Sequence, residues 1–189
     1  MIIKLVSNTV YKIVTPFIFL SIIIFFTGCL SIKPGGVKSG KNLFETFYVG
    51  EDGTQYFIKP LGFSNVDQEE ELFVDFTFRY KNEVRDSVIG NFTLQSSEIL
   101  KNIDSISFSN AKTKILSNKV RLLFNERKKD DFNSRFTTKV LLSEFITLFD
   151  NNEWAIIVYK NNSSSTFLPT RKTKQAIEKL QEKVFVLLQ

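Results

Sequence analysis

The chain has no histidine and a single cysteine among 189 residues. Without histidine, Ser-His-Asp and Cys-His nucleophile systems, imidazole general bases and the usual catalytic zinc ligand sets are excluded. One cysteine excludes an intrachain disulfide and a thiolate metal cluster. Excess charge of either sign is also scarce, with 25 Lys and Arg against 20 Asp and Glu. Arg127-Lys128-Lys129 is followed at once by Asp130-Asp131 and reads as a solvated turn. No compact basic patch interleaved with aromatics occurs, so no nucleic acid partner is expected. No internal repeat is present. Phenylalanine, by contrast, is abundant, with 20 in the chain. Four of these (Phe17, Phe19, Phe25, Phe26) lie in an N-terminal apolar run, which leaves 16 for a folded core.

The lone cysteine, Cys29, stands directly behind that run. Lys4 and Lys12 make a positive n-region, and residues 13–26 (IVTPFIFLSIIIFF) have the length of a secretory h-region. The next residues, Phe26-Thr27-Gly28-Cys29, resemble the lipobox of bacterial lipoproteins, with Phe26 at a position where Leu is commoner. The resemblance covers only about the first 30 residues. It implies cleavage between Gly28 and Cys29, and diacylglycerol on the Cys29 thiol. In an organism with two membranes it implies sorting to the outer membrane, facing the periplasm, since Leu30 is not the Asp that retains some lipoproteins at the inner membrane. The energetics agree: each buried methylene contributes about 0.8 kcal/mol, so two or three acyl chains on one residue anchor a domain stably. Residues 13–32 are also uncharged over a length able to span a bilayer, which leaves an uncleaved transmembrane anchor as the alternative. Pro16, the short apolar core and the box favour the leader.

Residues 1–28 thus read as a signal peptide, residues 29–42 as the lipidated cysteine with a flexible tether, and residues 43–189 as one globular domain. The segment LSIKPGGVKSGKN after Cys29 is rich in Pro, Gly and Ser, and has a coil reach of about 20 Å. Removing the leader lowers the net charge from +5 to +3.

The domain's first half reads as β. Leu43–Val49 and Thr54–Leu61 flank Gly50-Glu51-Asp52-Gly53, a hairpin signal. Leu72–Tyr80 alternates, with Leu72, Val74, Phe76, Phe78 and Tyr80 on one face, and is the clearest strand. Val84–Leu94, Ile103–Phe108, Val120–Asn125 and Arg135–Val140 are further candidates. Leu142–Phe149 reads as a short helix with Ser143 as its cap, a strand being the alternative. Trp154–Tyr159 reads as a central strand buried on both faces, and Asn161–Thr166 as a polar loop. Pro169-Thr170 opens an amphipathic helix carrying Ala176, Ile177, Leu180, Val184 and Leu187 on one stripe. The expected fold class is α+β, mainly an antiparallel β-sheet or sandwich with a C-terminal amphipathic helix.

Few residues suggest chemistry. Asp67–Glu71 (DQEEE) lacks the alternating ligands and the glycine of a calcium loop and reads as solvated. Ser143-Glu144, and Ser163-Ser164-Ser165 with a distant Lys, lie outside any S-x-x-K or G-x-S-x-G context. Asp86-Ser87-Val88 and Asp104-Ser105-Ile106 resemble the O-glycosylation sequon of exported Bacteroidetes proteins. Arg171, Lys172 and Lys174 crowd a helix start, where the macrodipole disfavours cations, and suit contact with lipid phosphates or an acidic partner. Phe and Tyr on the strands read as core packing ahead of a lipid or sugar site. No catalytic residue, metal site or cofactor is expected. The expectation is a lipid-anchored, non-enzymatic binding or assembly subunit of the cell envelope, joined to the membrane by its lipid and to an envelope protein partner. The alternative is an envelope hydrolase acting on glycan or cell wall through carboxylates or Ser/Lys.

Overall fold

The computed structural model describes residues 43–81 and 87–188. The leader, Cys29, the tether and Asp86 of the first sequon lie outside them. Ten strands are present: β1 (Phe44–Tyr48), β2 (Thr54–Asn65), β3 (Glu71–Tyr80), β4 (Ser87–Ser96), β5 (Ser105–Ser109), β6 (Lys114–Ser117), β7 (Arg121–Lys128), β8 (Asp131–Leu141), β9 (Ala155–Lys160) and β10 (Ser163–Pro169). Helix α1 (Leu142–Leu148) separates β8 from β9, while α2 (Arg171–Lys183) and a 3-10 turn (Phe185–Leu187) follow β10. All pairings are antiparallel, in the order β6-β5-β9-β10-β2-β3-β4-β8-β7, with β1 beside β2. The sheet curls into a half-barrel, so the expected antiparallel sheet holds and the sandwich does not.

Strand β2 shows how local chemistry sets this path. Its first half pairs β1 up to Ile58, and its second half pairs β10 from Phe63. A bulge against β3 falls between Ile58 and Leu61, at Lys59-Pro60. Proline cannot donate to a ladder, and Pro60 stands where one partner strand hands over to the next. Ahead of β2, Gly53 takes φ +87°, and a Cβ there would lie 2.3 Å from the Tyr80 carbonyl oxygen. Only glycine closes this hairpin without strain.

The two ends of the sheet are consecutive in the chain, because β6 pairs β5 and β7 pairs β8. Thr138 Oγ1 on β8 donates to the Lys119 carbonyl (3.2 Å) and lies 2.6 Å from Ser117 Oγ on β6, so the curled sheet is tied across its seam by side chains.

The inward face holds the core, with Leu72, Val74, Phe76 and Phe78 of β3 buried as their period-2 spacing predicts. Phe145 of α1 and Phe185 close one end of the half-barrel against them, with ring centroids 4.6 Å (Phe145–Phe76) and 6.0 Å (Phe185–Phe78) apart. Phe149 stacks on Phe185 at 3.7 Å and meets Trp154 edge-on at 4.7 Å. The polar groups of this plug are satisfied. Trp154 Nε1 donates to the Leu148 carbonyl (2.7 Å), and Asn110 Nδ2 donates to the carbonyls of Thr147 and Leu148 (3.0 Å each), which caps the C-terminus of α1.

Four expectations are corrected. Ser143 is not a cap: Leu141 occupies the N-cap position without a side-chain bond, because β8 runs straight into α1. Residues 163–166 are not a loop but the start of β10, paired with β9, while β2 takes up the strand from Phe167. Strand β9 is fully buried on one face only, through Ile156 and Val158. Leu187 is 69% exposed, because α2 ends at Lys183 and the following turn carries Phe185 inward instead.

Candidate functional site

The end of the half-barrel opposite the aromatic plug is an open mouth. Three strands reach it with the same inward-facing gradient, from apolar to polar. On β4 the sequence runs Phe92, Leu94, Ser96; on β9, Ile156, Val158, Lys160; on β10, read backwards, Phe167, Ser165, Ser163. Period-2 geometry keeps each trio on one face, so the core gives way to hydroxyl and charge as the strands emerge. The resulting cavity is about 330 Å³, at the small end of ligand pockets. Leu94, Leu100, Ile103 and Val158 form its floor. Gln68, Glu70, Ser97, Glu98, Lys160 and the serines of β10 form its rim.

The backbone of this rim is fixed from several sides. Ser96 Oγ donates to the Glu98 carbonyl (2.7 Å), and Ser163 Oγ donates to the Lys160 carbonyl (2.6 Å). The Leu100 amide donates to Ser134 Oγ (3.1 Å), which holds the β4–β5 loop down over the mouth. Glu70 accepts from Asn65 Nδ2 at 2.8 Å. The β9–β10 hairpin turns through Asn161 and Asn162, both at positive φ, as a two-residue I′-type turn requires. The Asn161 amide donates to Asp104 Oδ2 at 2.8 Å.

A second concavity of about 530 Å³ lies on the outward face, over β1, β2, β3 and β8. Its charges are paired, Glu45 with Lys59 (3.2 Å) and Asp75 with Arg135 (2.6 Å). Phe47 and Phe57 line it and stand exposed, edge to face at 5.5 Å. On the inward face, at the end of β3, Tyr80 and Tyr56 pack partly buried against the core; burial, with the Tyr80 phenolate adding to it, pushes the Tyr56 phenol above its ordinary value.

The residues singled out from sequence distribute unevenly. Arg171, Lys172 and Lys174 are exposed on the first turn of α2, and Thr170 caps that turn by accepting from the Thr173 amide. Thr173, between them, is buried and bonds both backbone groups of Gly62 on β2. Gln68 and Glu70 of the acidic loop, and Ser163 and Ser165, do converge, all on the mouth. Ser143 and Glu144 are exposed on α1, away from it. Of the second sequon, Asp104 is spent on the Asn161 amide, and Ser105 opens β5 half-buried. Among the described residues no group of three or more acidic, His or Cys side chains is placed to hold a metal ion. Likewise, no described helix is long and apolar enough to cross a membrane. Lys160, Ser97 and Glu98 were missed from sequence, although the Asn161-Asn162 pair is a hairpin signal that would have put Lys160 and Ser163 side by side. No family model, curated protein or solved structure matches this chain.

Proposed function

We propose that the chain is a lipid-anchored protein of the cell envelope that binds a ligand or partner and performs no catalysis. The lipobox Phe26-Thr27-Gly28-Cys29, in order behind its n-region and h-region, carries this reading. The open mouth supports binding, with rim hydroxyls of Ser96 and Ser163 turned onto backbone carbonyls rather than toward Lys160 Nζ. A serine nucleophile needs its proton within reach of a base. Arg171, Lys172 and Lys174 are the proposed contact to lipid phosphates or an acidic partner.

The experiment is mass spectrometry of the membrane-extracted protein together with crosslinking from a photoreactive residue at position 97 in intact envelopes. The expected result is an acylated N-terminus at Cys29, unprocessed precursor in Cys29→Ser, and specific crosslinks at the mouth. An intact Met1–Gly28 segment on the native protein refutes the anchor. The second reading, a hydrolase, draws on Glu70 and Glu98 sharing the mouth with Lys160 and two β10 serines. Turnover of cell-wall glycan that Glu98→Gln abolishes would establish it.

A further inference from the structure

We propose that the mouth is a receptor for a small zwitterion, an α-amino acid or short peptide, with its ammonium on Glu98, its carboxylate on Lys160 and its side chain against the aliphatic floor. This rests on the binding reading of the same mouth. Of the three charged groups there, Glu70 is held by Asn65. Lys160 Nζ and the Glu98 carboxylate have no hydrogen-bond or ion-pair partner among the described residues, so one charge of each sign is unspent. They come from different walls: Lys160 ends β9, Glu98 follows β4, and β10, β2 and β3 lie between. The curl turns these walls toward each other across one cavity, yet the two charges form no salt bridge. A bound molecule carrying both complementary charges would complete both groups at once.

The backbone that carries each charge is also fixed. The two serine hydroxyls that donate to backbone at this site donate to the carbonyls of Glu98 and Lys160 themselves. A bond of that kind holds the backbone of each charged residue before any ligand arrives, which lowers the ordering cost of binding. Ser97 and Ser165 line the same space and make no hydrogen bond through their hydroxyls among the described residues, so they remain to bond a ligand. Leu94, Leu100, Ile103 and Val158, nearly buried under the polar rim, offer a ligand side chain a small aliphatic contact. The cavity of about 330 Å³ admits an amino acid or dipeptide.

The test is isothermal titration of the mature protein with leucine, Leu-Leu, N-acetylleucine, leucinamide and glycerophosphoethanolamine. The expected result is saturable binding of leucine or Leu-Leu. N-acetylleucine and leucinamide should each bind at least about tenfold more weakly, since a hydrogen bond to a charged group is lost. Lys160→Met should weaken leucine but leave leucinamide unchanged, and Glu98→Gln should weaken leucine but leave N-acetylleucine unchanged. Equal binding of leucine and both blocked forms overturns the proposal. So does tighter binding of glycerophosphoethanolamine, which would assign the mouth to a lipid headgroup, or absence of binding by every zwitterion. If crosslinks from position 97 persist while no zwitterion binds, the ligand class fails and the binding reading stands. Loss of both removes the binding reading itself.

Discussion

Replacing Phe145 with Ala tests whether the aromatic plug organises the domain. Phe145 is fully buried, with ring centroids of Phe76, Phe149, Phe185 and Phe78 at 4.6, 5.3, 5.7 and 6.0 Å. Phe-to-Ala changes in packed cores cost about 3–5 kcal/mol. Each aromatic pair adds about 0.5–1.5 kcal/mol beyond area burial, and four are lost here, so the upper part of that range applies. For a domain of this size that corresponds to a melting temperature lower by about 10–15 °C. Trp154, the only tryptophan, lies 4.7 Å from Phe149 and reports on the same cluster by fluorescence during urea unfolding. The control is Phe124→Ala on β7, where the side chain is 49% exposed and the expected change is within about 0.5 kcal/mol. A Phe145→Ala loss below about 1.5 kcal/mol, or one no larger than that of Phe124→Ala, would refute the plug as the core.

Gly53→Ala should destabilise by about 1–3 kcal/mol in denaturant titration, since it adds a clash with the Tyr80 carbonyl to an unfavourable φ. Gly50→Ala, with φ +67° and nothing within 4 Å, should cost less, about 1 kcal/mol; equal losses would remove the steric argument. The Tyr56 phenol titrates higher folded than unfolded, so its contribution is fully present below pH 10.0 and is lost as pH rises through the folded value. Tyr56→Phe should therefore flatten the alkaline fall in unfolding free energy, and an unchanged slope would assign that fall to other groups.

Elements whose own side chains carry the period were legible from sequence. Strand β3 alternates over its whole length because it sits mid-sheet with one face on the core. Helix α2 opens behind Pro169-Thr170 and carries its apolar stripe as expected up to Lys183. Strand β10 was illegible because Ser-Ser-Ser-Thr has no apolar alternation. The conformation of that stretch is imposed by the ladder to β9, and tertiary context overrides weak propensity. The mouth was illegible for a related reason. Its residues come from the segments around 68–70, 94–103, 158–160 and 163–165, and only the curl of the sheet brings them to one cavity. The acidic loop and the serine run were each visible alone, while their convergence depended on long-range pairing.

The place of β10 between β2 and β9 has a consequence for biosynthesis. The last strand among the described residues is inserted into the interior of the sheet, and Thr173 then bonds Gly62, a contact 111 residues apart in sequence. A nascent chain that ends before residue 163 therefore holds two partial sheets with raw edges at β2 and β9, and no ladder to join them. Completion of the sheet therefore waits for residues 163–169. Until then the two open edges expose the chain to edge-to-edge aggregation.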